Sequence, residues 1–348
     1  MAIIGMGGMA EWHFGNVNEH VKGITITAGY DIDAETSTNR AKEWNIKTYK
    51  NPKELYEDKK IDLVLIATPN DSHKEYSINA MKSGKHVICE KPVNMNVAEL
   101  LEVMATAKET GKLFTVHQNR RWDQDYLIAK KILAEGLVGD PYTIESRAHG
   151  SKRLYGWRAF KPNGGGILLD WGVHLIDQML DLIKEDVVSV YGHLTNLPGS
   201  EVDDCFTATL RFANGCAGII DVRTNSLIVQ PRWHINGFDG TAVVENWECD
   251  GKIVQQADPN EPDWTEAVIY TAAGPTKTML PRPKETTREL ELPKVGERSW
   301  TDFYKNLVDV LNGKAKPIVT PEQALRVMKV IEAIFESDKT GTAVTRRI

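Results

Sequence analysis

Between residues 1 and 117, short apolar runs alternate with stretches of helical periodicity. The runs at Ala2–Ile4, 24–30, 63–67, His86–Cys89 and 113–117 have the length of buried strands. Segments between them carry helix punctuation. Asn96 with Glu99 three residues on forms a capping box ahead of VAELLEVMATAKETG, and Gly111 stands where that helix must stop. Gly84 plays the same part after SHKEYSINAMKS. Such alternation predicts right-handed βαβ units and one parallel sheet.

From about residue 120 the pattern changes. VVSVYGHL, CFTATLRFA, CAGIIDVRT and GTAVVENWE read as strands without intervening helices, separated by turn signals such as Ala213-Asn214-Gly215. This half is therefore expected to be α+β, with an open, mostly antiparallel sheet, in a chain whose overall class is α/β. Residues 257–298, rich in Pro, Glu and Thr, read as loops with short strands. Two helices close the chain. Ser299 precedes the periodic Trp300, Phe303, Leu307 and Leu311, and Thr320-Pro321-Glu322-Gln323 supplies a cap, a first-turn proline and a box partner for Ala324, Met328, Ile331 and Phe335.

One stretch breaks its own pattern. GGGILLDWGVHLID, residues 164–177, is a glycine-rich loop entering an apolar helix, yet Asp170, His174 and Asp177 interrupt it at spacings of four and three. On a helix these side chains share one face. A solvated stripe explains this, and so does an active site.

Composition narrows the classes. With 348 residues, the chain is expected to form more than one domain. Net charge is −6, so no basic field invites nucleic acid or an anionic membrane. The apolar runs are too short to span a bilayer, and no secretory signal is visible at the start. Cys89, Cys205, Cys216 and Cys249 are scattered without C-x-x-C spacing, which argues for a reducing compartment, taken as the cytoplasm, and against a disulfide frame or a metal site.

IIGMGGMA places Gly5-x-Gly7-x-x-Ala10 between the first apolar run and a helix. The first glycine permits a tight turn, the second lets the backbone approach a pyrophosphate, and the helix N-terminus favours its charge. Gly8 and Met9 belong to the same turn. Asp31 follows Ala10 by 21 residues, where an acid would bind the ribose 2′-hydroxyl and repel a 2′-phosphate. NAD is favoured over NADP; the alternative is a surface acid after a strand. Met1 lies so close to Gly5 that the first strand has at most four residues, which raises the expectation that native residues precede it.

ATPNDSH and CEKPVN follow the strands at 63–67 and His86–Cys89, at the edge where such sheets bind ligands. Thr68, Asn70 and His73 are candidates to reach the dinucleotide, against a proline turn with Asn70 or Ser72 capping a helix. Glu90 and Lys91 are candidates too, against a surface ion pair. His13, His20, His86, His193 and His234 are read as structural or surface, and Trp12 and Trp44 as core.

Glycine turn, EKP and GGG…DWGVH…D in this order resemble the Gfo/Idh/MocA family of oxidoreductases, over essentially the whole chain through the final GTAVT. HQNRRWDQDY looks like the stretch these proteins carry after their fifth strand, especially those acting on inositols. The resemblance implies an N-terminal Rossmann domain over 1–118 and a substrate and oligomerisation domain over 119–298. It also implies that the helices and tail of 299–348 pack back toward the first domain. The activity implied is hydride transfer between NAD(P) and a hydroxyl or carbonyl carbon of a sugar or cyclic polyol, in a homodimer or homotetramer.

Carried over by residue, Lys91 matches the EKP lysine, and Asp170 and His174 match the acid and histidine of the D-x-x-x-H signature. Asp177, Arg120, His149, Trp157 and Arg158 match positions near substrate or nicotinamide in relatives. In this reading His174 exchanges the hydroxyl proton, because imidazole titrates near neutrality, and Lys91 stabilises developing alkoxide charge. Asp170 orients the histidine or a substrate hydroxyl. The polar stripe then faces an interdomain cleft. The same parts admit a glycosidase that oxidises a sugar transiently with NAD, and the fold admits a non-catalytic dinucleotide sensor.

Overall fold

The computed structural model of the chain describes residues 1–258, 270–275, 282 and 284–348. β1 (Ala2–Ile4), β2 (Ala28–Tyr30), β3 (Lys47–Thr48), β4 (Leu63–Ile66), β5 (His86–Cys89) and β6 (Phe114–Val116) form one parallel sheet in the order β3-β2-β1-β4-β5-β6. β1 and β4 are buried throughout, because α1 (Gly8–His20), α2 (Ala34–Trp44), α3 (Pro52–Glu57), α4 (His73–Lys82) and α5 (Val97–Thr110) connect the strands and cover both faces. That burial is why these strands read as unbroken apolar runs. Strand order reverses between β1 and β4, which opens a crevice at their C-terminal ends.

Two details depart from expectation. The run at 24–30 forms a strand only over Ala28–Tyr30. β3 is a sixth strand of two exposed residues, and so lacks any apolar signature. The expected cap of α5 is present: Asn96 Oδ1 accepts Glu99 N–H at 2.9 Å, while Glu99 accepts from Met95 N–H at 3.1 Å. A cap of this kind contributes about 1 kcal/mol.

The second half begins with α6 (Gln124–Ala134) and β7 (Pro141–His149). It continues through α7 (Val173–Leu182), β8 (Val187–Thr195), β9 (Cys205–Phe212), β10 (Ala217–Arg223), β11 (Trp233–Gly237), β12 (Gly240–Val244) and β13 (Gly251–Gln256). A small hairpin, β14 (Tyr270–Thr271) with β15 (Gly274–Pro275), precedes β16 (Thr287–Glu291). The remainder of the loop-rich stretch expected over 257–298 lies partly outside the described residues. With β17 (Val344–Thr345) these strands, the hairpin apart, make a nine-stranded sheet in the order β16-β13-β12-β11-β7-β10-β9-β8-β17. Only β7 and β10 pair in parallel; every other pairing is antiparallel.

Helices cover one face of this sheet. α6, α7 and α9 (Pro321–Thr340) pack on it, while Tyr191, His193, Thr209, Arg211 and Arg223 stay exposed on the other side. The closing segment ties the two sheets together. Tyr304 on α8 (Thr301–Leu311) bonds His13 of α1 at 2.7 Å, Glu332 of α9 accepts Val97 N–H at the start of α5 at 2.8 Å, and β17 pairs with β8. Thr320 and Gln323 form the reciprocal capping box. No helix among the described residues is long and apolar enough to cross a membrane.

Candidate active site

A cleft of about 930 Å³ lies over the C-terminal ends of β1, β2, β4 and β5 and is closed on the far side by residues 152–158 and the turn before α7. Gly5, with φ +87°, carries the chain out of β1, and a Cβ there would sit 2.7 Å from the Ala67 carbonyl oxygen. No other residue fits that turn. Gly7 caps α1 without a side-chain bond, and Cβ atoms at Gly7 and Gly8 would meet nothing within 4 Å. The first N–H groups of α1 therefore face open space unobstructed, a cradle for an anion such as a dinucleotide's pyrophosphate. Met9, Tyr30, Asp31 and Ile32 continue this wall. Asp31 accepts the N–H of Met6 at 2.6 Å and of Asp33 at 2.9 Å, which fixes its carboxylate at the cleft edge.

Thr68, Asn70, Glu90 and Lys91 also line the cleft. Asn70 donates to the Gly164 carbonyl at 2.8 Å and so links the two halves. His73 differs from expectation. Its ring is buried between the carbonyls of Thr68 and Pro92, each 2.9 Å away, so it fastens the two loops to each other and lines none of the cleft.

The reacting end is built where the Lys91 turn meets the start of α7. Residues Leu168–Gly172 form a π-helical turn, a widening that recurs at functional sites. Gly166, with φ +109°, leaves no room for a side chain against Asp203, whose carboxylate accepts Leu168 N–H at 2.7 Å. Lys91 Nζ donates to the Asp170 carbonyl at 2.9 Å and to Asp170 Oδ1 at 3.0 Å, and Arg158 Nε donates to the same Oδ1 at 3.1 Å. Burial works to raise the Asp170 carboxyl, but Lys91 and Arg158 outweigh it and hold the group below its ordinary value.

His174, one turn on, is 5% exposed. Its Nδ1 is buried without a partner. Burial, then the charges of Lys91 and Arg120, push it well below the ordinary imidazole value, so the ring is neutral at pH 7. The arrangement can polarise a substrate oxygen with an ammonium and receive its proton on an imidazole.

Three expected substrate residues are placed otherwise. Asp177 forms a buried bidentate pair with Arg121 at 2.7 and 2.6 Å, because that guanidinium needs a counterion within the core. Arg120 pairs with Asp123 at 2.8 Å and lies 4.2 Å over the Trp171 ring, behind the cleft wall. His149 Nε2 lies 3.2 Å from Asp221 on neighbouring β10. Arg158 and Trp157 do line the cleft, together with Lys152, Arg153, Leu154 and Tyr155, most of which the residue pattern had left as loop.

The polar knot beneath the Lys91 turn is a further departure. His13, Glu90 and His117 bring one ligand-type atom each within 4.8 Å of one another, but hydrogen bonds of 2.8 and 2.7 Å to one Glu90 oxygen close the set. His13 occupies the buried stripe Ala10–His13–Val17 of α1, a polar residue at an apolar position, which was the available signal.

Comparison with known proteins gives consistent matches. Residues 1–118 match the model of an oxidoreductase family with an NAD-binding Rossmann fold, and residues 126–243 match the Gfo/Idh/MocA C-terminal domain. The crystal structure of an NAD-binding protein from Listeria innocua is 41% identical, with a TM-score of 0.87 over 99% of this chain and 96% of that one. The scyllo-inositol 2-dehydrogenase (NADP(+)) IolW of Bacillus subtilis is 28% identical over 82% of this chain and 79% of its own length. The scyllo-inositol 2-dehydrogenase (NAD(+)) of the same organism is 29% identical over 70% and 72%.

Proposed function

This chain belongs to the Gfo/Idh/MocA family of NAD-binding oxidoreductases, and from that premise we propose that it moves a hydride between NAD and a hydroxyl-bearing or carbonyl carbon of a sugar or cyclic polyol. The observation that carries the reading is the junction of Lys91, Asp170 and Arg158 at the cleft, with a neutral His174 one turn behind.

The bound nicotinamide supplies the hydride acceptor during alcohol oxidation. The glycine turn and α1 hold the dinucleotide, and Asp31 sits where the ribose hydroxyls of NAD would bond to it. Lys91 donates to the substrate oxygen and favours its alkoxide charge, an interaction strongest in the transition state. His174 takes the hydroxyl proton at Nε2. Asp170 fixes the Lys91 ammonium and tethers Arg158, and Tyr155 and Trp157 offer flat apolar and hydrogen-bonding surface to a ring substrate. A homodimer or homotetramer that covers the uncovered face of the nine-stranded sheet, in the cytoplasm, belongs to the same reading.

The test is a screen of NAD and NADP reduction with inositols and aldoses, run alongside reduction of their keto forms. NAD-linked turnover of a polyol or sugar is expected, with loss of about 10²-fold or more in His174→Ala while NADH binding persists. Full turnover in that variant refutes the assignment of His174.

A further inference from the structure

Beneath the Lys91 turn, four buried side chains form one hydrogen-bonded chain. Tyr304 Oη lies 2.7 Å from His13 Nδ1, His13 Nε2 lies 2.8 Å from Glu90 Oε1, and His117 Nδ1 lies 2.7 Å from the same oxygen. Glu90 Oε2 accepts Lys91 N–H at 3.2 Å. Burial works to raise the Glu90 carboxyl, but His117 and His13 outweigh it and hold it well below its ordinary range, so it is anionic. A carboxylate only accepts, so both imidazole nitrogens facing it carry hydrogen. His13, pushed down to about 4 by burial, is neutral, and its bare Nδ1 accepts from Tyr304. A neutral His117 with hydrogen on Nδ1 likewise has a bare lone pair on Nε2. That atom is buried and has no partner.

His174 presents the complement. For its Nε2 to receive a proton, the hydrogen of the neutral ring must sit on Nδ1, which is buried and also has no partner. The charged and titratable groups acting on His174 are Lys91, Arg120, Glu90 and His117. Those around His117 are Glu90, His13 and Tyr304, with His174 beyond. An orphan donor and an orphan acceptor therefore sit in neighbouring buried rings, and each orphan has a cost of about 1–3 kcal/mol unless it is bridged.

We propose that His117, backed by Glu90, is the proton sink behind His174, reached through one bridging water. As the substrate O–H bond breaks and an N–H bond forms at His174 Nε2, the Nδ1–H of His174 passes its proton to the water, which gives one of its own to His117 Nε2. His174 ends neutral in its other tautomer, and His117 ends as an imidazolium against the Glu90 carboxylate. The need is electrostatic: burial and the charges of Lys91 and Arg120 oppose an imidazolium at position 174, while the Glu90 carboxylate favours one at position 117. His117 is a positioning residue that acts through His174. The proposal rests on the dehydrogenase reading above.

The experiment uses the full chain with NAD bound. Imidazole ¹⁵N spectra at pH 7 are expected to show His117 and His174 neutral and protonated on Nδ1. In His117→Gln and Glu90→Gln, oxidation of the best polyol is expected to fall about 10–100-fold at pH 7 and to climb toward wild type as pH rises and hydroxide takes the proton, with NADH affinity and KM little changed. His117 protonated on Nε2 in the wild type, or a loss that is uniform across pH, overturns the relay. A wild type that turns over no polyol or sugar sinks the substrate reading instead, and the ring-nitrogen signals of the same sample still decide the tautomers.

Discussion

Lys91 places its ammonium on two oxygens of one residue, 2.9 Å from the Asp170 carbonyl and 3.0 Å from Asp170 Oδ1. The cation thus joins the first sheet's edge to the π turn of the second half and closes the cleft at its reacting end. Lys91→Met removes both contacts and leaves the Asp170 carboxylate with Arg158 alone. The expected result is a fall in turnover of about 10²–10³-fold, with NADH affinity, read by fluorescence, within a few-fold of wild type. Lys91→Arg is expected to rescue little, because a planar fork cannot replace a point donor shared between two oxygens. Turnover near wild type in the methionine variant refutes the role.

Asp31 has two structural duties besides any contact with ribose, holding the N–H groups of Met6 and Asp33. Asp31→Ala is expected to weaken NADH binding about tenfold or more and to narrow the gap between NADH and NADPH, since a carboxylate no longer repels a 2′-phosphate. Asp31→Asn keeps an acceptor for one N–H and isolates the charge. Titration of both cofactors against both variants is the check, and unchanged preference in Asp31→Asn means the charge does not select the cofactor.

Asp177 and Arg121 make a different prediction. Their pair is buried and bidentate, and removing one partner strands the other's charge. Asp177→Ala is expected to lower unfolding free energy by about 3–5 kcal/mol in urea titrations. Activity per folded molecule is expected to persist. A variant with wild-type stability but raised KM would return Asp177 to the substrate site.

The contrast between Asp170 and Asp177 shows what was legible. Both stand out as polar residues in an apolar helix, but pattern alone does not say which faces a cleft and which a buried guanidinium. Buried parallel strands were legible because burial on both faces makes continuous apolar runs. β7 was not, since only Ile144 and Ser146 of its nine residues are buried. His13 and His117 passed as ordinary residues because their partner, Glu90, is distant in sequence, and only the sheet's topology brings the three together. The wall at 152–158 has no periodicity to read; it is loop positioned by its anchors.

Asp203 supports the π turn from below and gives the last prediction. Its carboxyl accepts Leu168 N–H at 2.7 Å, and burial pushes its pKa up to about 7. The folded value lies above the unfolded one of about 3.9, so the fold binds a proton that the unfolded chain releases. This contribution to stability is full below pH ~4 and is lost as pH rises toward ~7, with a slope of at most about 1.4 kcal/mol per pH unit. Asp203→Asn keeps an acceptor for Leu168 and never ionises. It is therefore expected to be more stable than wild type at pH 8, with the advantage shrinking toward pH 4.5. Asp203→Ala, which strands the N–H, is expected to lose stability at both. Urea midpoints at the two pH values decide the matter, and an asparagine effect that ignores pH would mean that the Asp203 carboxyl is ionised throughout.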